Sequence, residues 1–206
     1  MYTGIVKGTF AVASAERTQN LLRYEVELPA ELRTGLVVGA SVSIDGVCQT
    51  VTGIKGARIG FDAIPETLQL TTLGSLAAGA RVTVERSARI GDEIGGHDVA
   101  GHIIGTGEVL ERRQEGDVCD LKIGVPANWM RYITRKGFIA IDGSSLTVGE
   151  RNDDGWFMLH LIPETLRLTN LGRKDRGDRV NIELDARTVT IVDTVERLLK
   201  EHDTAR

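Results

Sequence analysis

The 206-residue chain has few aromatic residues, two cysteines, no marked excess of either charge and no long hydrophobic run. Each shortage excludes something. With aromatics at 4%, a string of base-stacking platforms for single-stranded nucleic acid is not available. Lys and Arg number 25 against 29 Asp and Glu, a net charge of −4, so no basic field awaits a nucleic acid or an anionic membrane. Cys48 and Cys119 are too few for a disulfide scaffold, and neither belongs to a C-x-x-C pair. The apolar stretches fall far short of a bilayer span. The opening MYTGIVKGTF lacks the apolar core of a secretory signal, so a cytoplasmic protein is expected. What remains is an ordinary globular composition, long enough for one large domain or two small ones.

What is present in quantity is repetition. Residues 64–74 read IPETLQLTTLG and residues 162–172 read IPETLRLTNLG, nine identities in eleven positions at an offset of 98. IDGVCQTV (44–51) faces IDGSSLTV (141–148), and GIVKGT (4–9) faces GHIIGT (101–106), both at 97. RVTVE (81–85) faces RVNIE (179–183) at 98. Four blocks in one order with a single one-residue slip mark a tandem duplication, roughly 1–88 and 97–186, followed by a tail.

Each unit alternates apolar and polar residues in short segments. YEVELP, ASVSIDG, CQTVTGI, ARIGFDAI and RVTVERS recur as DLKIGVP, GFIAIDG, SLTVGER, WFMLHLI and RVNIELD, bounded by Gly, Asp or Pro. Strands so spaced predict a small β-barrel or sandwich in each half. Short helical turns are expected over 29–36 and 126–133, where Pro stands at a helix start. In the tail, DTVERLLKEHDTAR predicts a helix with Val195, Leu198 and Leu199 on one face, Asp193 as candidate N-cap and Glu196 three residues on. That stripe has two destinations, its own barrel or a second subunit.

Polar residues recur along with the core: Thr50 with Thr147, Thr67 with Thr165, Glu66 with Glu164, and Cys48 with Ser145. A single strand Thr is ordinarily structural. Hydroxyls repeated in both halves point instead to two similar small-molecule sites for a polyol or a heterocycle edge.

Together MYTGIV, DGVCQTV, PETLQLTTLG, GDEIGGHDVAGHI, KGFIAIDGSSLTV, IPETLRLTNLG and RVNIELD resemble the riboflavin synthase α-chain family, in order and over nearly the whole chain. The resemblance implies an all-β fold: two tandem homologous six-stranded Greek-key β-barrels plus a C-terminal α-helix. Residues 1–96 and 97–188 would be the N- and C-terminal lumazine-binding barrels, and 189–206 the helix joining subunits into a homotrimer. The implied reaction is a transferase dismutation of two 6,7-dimethyl-8-ribityllumazine molecules into riboflavin and 5-amino-6-ribitylaminouracil, without metal or redox cofactor. Two copies of one molecule in opposite roles would meet between the N-terminal barrel of one subunit and the C-terminal barrel of a neighbour. The resemblance leaves an association with lumazine synthase open. The rival is a non-catalytic, antenna-type lumazine- or flavin-binding protein, which would lose second-half polar residues that this chain keeps. A purely structural trimer would leave the recurring hydroxyls unexplained.

Position by position, the resemblance assigns substrate binding in the first half to Gly4, Ile5 and Val6, to Cys48, Gln49 and Thr50, and to Asp62, Ala63, Ile64, Pro65, Glu66 and Thr67. In the second half it assigns Gly101, His102 and Ile103, Lys136, then Ser145, Leu146 and Thr147, then His160, Leu161, Ile162, Pro163, Glu164 and Thr165. The catalytic expectations are His102, Ser41, Cys48, Ser145, Asp185 and Lys136. His102 leads them because imidazole titrates near neutral pH. A lone cysteine is more often a core thiol, a strand Ser surface, and a Lys a solvated charge. His97 and His102 have an H-x4-H spacing, but two histidines without a third ligand do not make a zinc site. Tyr2, Gln49, Asp98 and Ala100 depart from the family's usual Phe, Leu, Leu or Phe, and Ser.

Overall fold

The strand alternation of the first half becomes β1 (Gly8–Arg17), β2 (Leu22–Glu27), β3 (Ser41–Ile44), β4 (Val47–Lys55), β5 (Arg58–Ala63) and β6 (Arg81–Arg86) in this computed structural model, which describes residues 1–204. All pairings are antiparallel, and the strands close into a Greek-key barrel in the order β1-β2-β5-β4-β3-β6. Period-2 side chains decide which face is inside. Leu22, Tyr24 and Val26 of β2 are buried, and the Tyr24 ring stacks on Phe61 at 5.4 Å between centroids. Arg23, Glu25 and Glu27 between them turn outward to a cross-strand ion-pair network with Asp62, Lys55 and Arg58.

The second half follows the same path through β7 (Gly105–Glu115), β8 (Val118–Gly124), β9 (Phe138–Ile141), β10 (Ser144–Thr147), β11 (Arg151–Asn152), β12 (Trp156–Leu161) and β13 (Arg179–Leu184). The counterpart of β4 is split into β10 and β11, so the sheet runs β10-β9-β13-β7-β8-β12-β11 and opens where the first barrel closes. Gly149 stands at the break, where the first half has Thr52. The seam is bridged by Gly149 N–H to Met158 O (2.8 Å) and Met158 N–H to Glu150 O (2.7 Å).

The prolines predicted to start helical turns do so. Pro29 precedes helix α1 (Ala30–Arg33), and Pro126 precedes a 3-10 turn at Ala127–Tyr132. The repeated PETL blocks also turn helical, as α2 (Pro65–Leu70) and α3 (Pro163–Leu168), each with Pro at its start and Glu in its first turn. Helix α4 (Ala186–Thr204) begins earlier than its apolar stripe suggested, and positions 205 and 206 lie outside the described residues. Its cap is Asp185, which accepts from the Thr188 backbone N–H at 3.0 Å and hydroxyl at 2.6 Å. Asp193, the sequence candidate, instead accepts from the Tyr132 hydroxyl at 2.5 Å, beside an Arg131–Glu196 pair at 2.9 Å. The helix therefore leans on the 3-10 turn with a polar flank. Ile191, Val195, Leu198 and Leu199 are left at least half exposed, so the stripe does not pack on its own barrel.

The two barrels meet at their Asp-Gly hairpin turns. Asp45-Gly46 and Asp142-Gly143 all have positive φ (46°, 82°, 45° and 82°), as two-residue type I′ loops require. A Cβ on Gly46 would lie 2.5 Å from Gly143 N, so the approach needs both glycines. Around them runs a buried polar network. Asp45 Oδ1 accepts from Thr83 N–H and from the Asn170 amide, while the Asn181 amide donates to Asp45 O and to Thr72 Oγ1.

Candidate functional site

The expected site residues sort into two sites, though not by sequence half. Sequence position joins Gly4–Val6 to the first barrel and Gly101–Ile103 to the second. In the structure each leading segment crosses to the other barrel. Ser145 N–H donates to Gly4 O, and Cys48 N–H donates to Gly101 O, both at 2.9 Å. A Cβ on Gly4 would come within 2.5 Å of Ser145 Cβ, and one on Gly101 within 2.7 Å of Cys48 Cβ. Glycine at φ +74° and +82° is what allows the crossing.

Each crossing is fixed by a buried glutamate on the last strand of its own barrel. Glu85 accepts from Thr3 N–H (2.8 Å), the Thr3 hydroxyl (2.7 Å) and Gly4 N–H (3.1 Å). Glu183 accepts from Ala100 N–H (2.7 Å) and Gly101 N–H (3.0 Å). Ala100, a departure from the family pattern, offers no hydroxyl where Thr3 has one. Burial pushes the Glu183 carboxyl up to about 7, against the opposing pull of the Ala100, Gly101 and His102 amides.

The first site gathers Cys48, Gly101 and the exposed His102, with Ser41 opposite Thr50 across the β3–β4 ladder. The Tyr2 hydroxyl donates to Cys48 Sγ at 3.3 Å, so the extra oxygen of Tyr2 has its partner. Tyr2 is fully buried, and backbone bonds of 2.7 and 3.1 Å tie it to Val99. Gln49 turns away from the cleft into the barrel core, accepting from the Tyr24 hydroxyl at 3.1 Å and donating to Cys48 O at 3.0 Å. Asp62 turns to Arg23 at 3.7 Å, and Ile64, Pro65 and Glu66 are exposed at the start of α2. Ala63 is in the core, and Thr67 is half-buried.

The second cleft is a cavity of about 400 Å³ lined by Lys136, Ser145, Leu146, Thr147, His160, Leu161, Ile162 and Thr165. A contiguous hollow of about 210 Å³ adds Gly4, Ile5, Val6 and Glu164. That size suits a heterocycle with a polyol chain. Two hollows of about 490 Å³ lie elsewhere: one lined by Lys7, Asp92 and Glu93, the other on the outer face of β2 and β5. Neither gathers the recurring hydroxyls.

Polar geometry in this cleft differs from the first. His160 Nδ1 lies 2.6 Å from Asp120 Oδ1, in the register position held by Asp62 and Arg23 in the first barrel. Glu164 points outward to Arg167 at 2.6 Å, which holds its carboxyl below the usual range. Pro163 is exposed beside it. Asp185 caps α4; burial raises its carboxyl, and the Thr188 bonds outweigh that and leave it lowered. Ser145 Oγ lies 2.6 Å from His97 Nδ1, a residue the sequence raised only to discount as a metal ligand. Its partner was not legible because His97 has no counterpart in the first repeat. Helices α2 and α3 were equally missed, although Ile-Pro-Glu-Thr carries a helix-start signal.

The lumazine binding domain family matches the chain twice, over residues 3–87 and 100–185. Riboflavin synthase of Escherichia coli (strain K12) is 48% identical over 206 residues, covering 100% of this chain and 96% of that one. Riboflavin synthase of Mycobacterium bovis is 37% identical over 205 residues, covering 97% and 98%. Among solved structures, LumP complexed with riboflavin superposes with a TM-score of 0.83 at 25% identity, covering 90% of this chain and 100% of that one. LumP complexed with 6,7-dimethyl-8-(1'-D-ribityl) lumazine gives 0.79 at 26%, covering 89% and 98%.

Proposed function

The chain belongs to the riboflavin synthase family, and from that premise we propose how its two sites serve one reaction. Two molecules of 6,7-dimethyl-8-ribityllumazine are bound, one donates a four-carbon unit to the other, and riboflavin and 5-amino-6-ribitylaminouracil leave. The observation that carries this reading is the reciprocal crossing of Gly4 onto Ser145 and Gly101 onto Cys48. It builds two related sites in one chain whose relatives match it from end to end. A reaction between two copies of one substrate needs such a pair.

Positioning is the main source of rate. Holding two rings in register is worth up to ~7–11 kcal/mol by effective-molarity arguments. Ser41, Cys48 and His102 act in the first site, and Lys136, Ser145 and Asp185 in or beside the second. They assist proton removal from the 7-methyl group of one lumazine and addition at C7 of the other. The two sites that react together come from neighbouring subunits, and the exposed stripe of α4 joins those subunits as a homotrimer. Residues 1–96 and 97–188 are the binding units of this reading. The enzyme works in the cytoplasm. Among the described residues, no helix is long and apolar enough to cross a membrane.

The likeness to LumP favours one other reading, a barrel pair that binds lumazine or flavin without turning it over. Incubation with 6,7-dimethyl-8-ribityllumazine separates them. Riboflavin absorbance and fluorescence should grow with catalytic turnover; tight binding with no riboflavin formed would establish the antenna-type reading instead.

A further inference from the structure

The geometry points to His97 as the positioning residue that fixes the Ser145 hydroxyl as a hydrogen-bond donor to the lumazine in the second cleft, an inference that rests on the function proposed above. His97 is 8% exposed, and its ring stacks on Phe138 with centroids 5.1 Å apart and planes at 15°. The ring is therefore held edge-on to Ser145, with Nδ1 at 2.6 Å from Oγ. Gly96 presses this segment home: a Cβ there would lie 2.7 Å from Ser145 Cβ and 2.2 Å from Thr3 O. On its other side Ser145 is anchored by its backbone bond to Gly4 O, and its side chain lines the cavity.

The direction of the hydrogen bond follows from the far side of the ring. His97 Nε2 is buried without a hydrogen-bond partner. A proton there would strand an N–H, the rarer and costlier orphan, whereas a bare nitrogen strands only a lone pair. Burial also draws the imidazole below its ordinary range, against the opposing charges of Asp185 and Asp98. The proton accordingly sits on Nδ1 and is donated to Ser145 Oγ. The serine's own hydrogen is then turned to the cavity.

The first site uses the same device with different parts. There Tyr2 is the buried donor, its hydroxyl aimed at Cys48 Sγ at 3.3 Å. Position 99, the counterpart of Tyr2, is Val, and a counterpart of His97 would precede residue 1. So each barrel backs its central residue with a donor recruited from a different place. The outcome is unequal, because a hydroxyl donates well and a thiol weakly. The second cleft is the one built to hydrogen-bond an acceptor atom on the ligand.

Asn and Gln separate this role from simple packing, since Asn places its amide near Nδ1 and Gln near Nε2. For H97N, affinity for 6,7-dimethyl-8-ribityllumazine and KM should stay within about twofold of the parent. For H97Q and S145A, both should weaken about fivefold, the size of one neutral hydrogen bond, with kcat less affected. Because His97 acts through Ser145, H97Q should cost nothing further in the S145A background. An H97Q effect as large with S145A as without it, or H97N no better than H97Q, would overturn the assignment. Fluorescence titration reads binding independently of turnover. A parent protein that binds lumazine and makes no riboflavin would therefore defeat the proposed function and leave this test standing.

Discussion

Among the described residues, Lys136 is one of three non-glycine residues with positive φ, at 65°, and the only one of them that faces solvent. Its N–H donates to Val148 O at 2.9 Å, which holds the strand start in place, and its side chain lines the second cavity. A left-handed conformation costs a side-chain-bearing residue roughly 1–2 kcal/mol, which glycine avoids. Replacement by glycine therefore removes the amine without adding strain. Lys136→Ala and Lys136→Gly should both lower riboflavin formation, about tenfold if the amine meets the ligand as a charged partner. The Gly variant should melt no lower than the Ala variant. Turnover unchanged in both would return Lys136 to a solvated strand-start charge. Positions of this kind were legible because seven motifs place them in order along the chain. Their surroundings were not: Gln49 reads as a rim residue until Tyr24 is seen bonded to it inside the barrel, 25 positions away in sequence.

Strands were legible as elements because alternation has a fixed period and their ends are marked by Asp-Gly turns. The crossing of the leading segments was not legible, because two homologous barrels offer two similar docking grooves. Sequence proximity favours the wrong one, and the structure places each segment on the other. Helix α4 is the element with unfinished packing. Asp185 starts it, Tyr132 and Arg131 hold one flank, and Ile191, at 64% exposed, leads a stripe that ends at Leu199. Deleting residues 193–206 removes Val195, Leu198 and Leu199 while leaving both barrel cores intact. The truncated chain should elute as a monomer in sizing and light-scattering measurements and lose most of its turnover, with each barrel still binding lumazine. A truncated chain that still elutes as the proposed trimer would place the subunit contact elsewhere, and loss of lumazine binding would make α4 part of the barrel fold.

At the scale of the whole molecule, the barrels are joined through a junction rich in carboxyl groups and short of cations. Asp45 and Asp142 are both buried at the paired turns, and the nearest cation, Lys174, stands 3.8 Å from Asp142 Oδ2. Burial raises both carboxyls above the usual range. Asp142 raises Asp45 further, while Lys174 and the Asn181 amide draw Asp142 back. Glu183, which holds the Gly101 crossing, is raised to about 7. A carboxyl whose folded pKa is raised keeps its proton in the folded state after the unfolded chain has released it. Stability from these groups is therefore full below the ordinary carboxylate range near 4 and is lost as pH climbs through neutrality. While each group titrates, the slope is at most about 1.4 kcal/mol per pH unit. Asn at position 45 tolerates the left-handed turn and still accepts from Thr83 N–H, but it carries no charge to desolvate. Urea midpoints measured between pH 5 and 9 should fall with rising pH in the parent protein and fall less steeply in Asp45→Asn. Changing Glu183→Gln in addition should flatten the curve further, because its carboxyl lies at a separate point of the junction. Parallel curves for parent and Asp45→Asn would mean that Asp45 is ionised in the folded protein across the whole range.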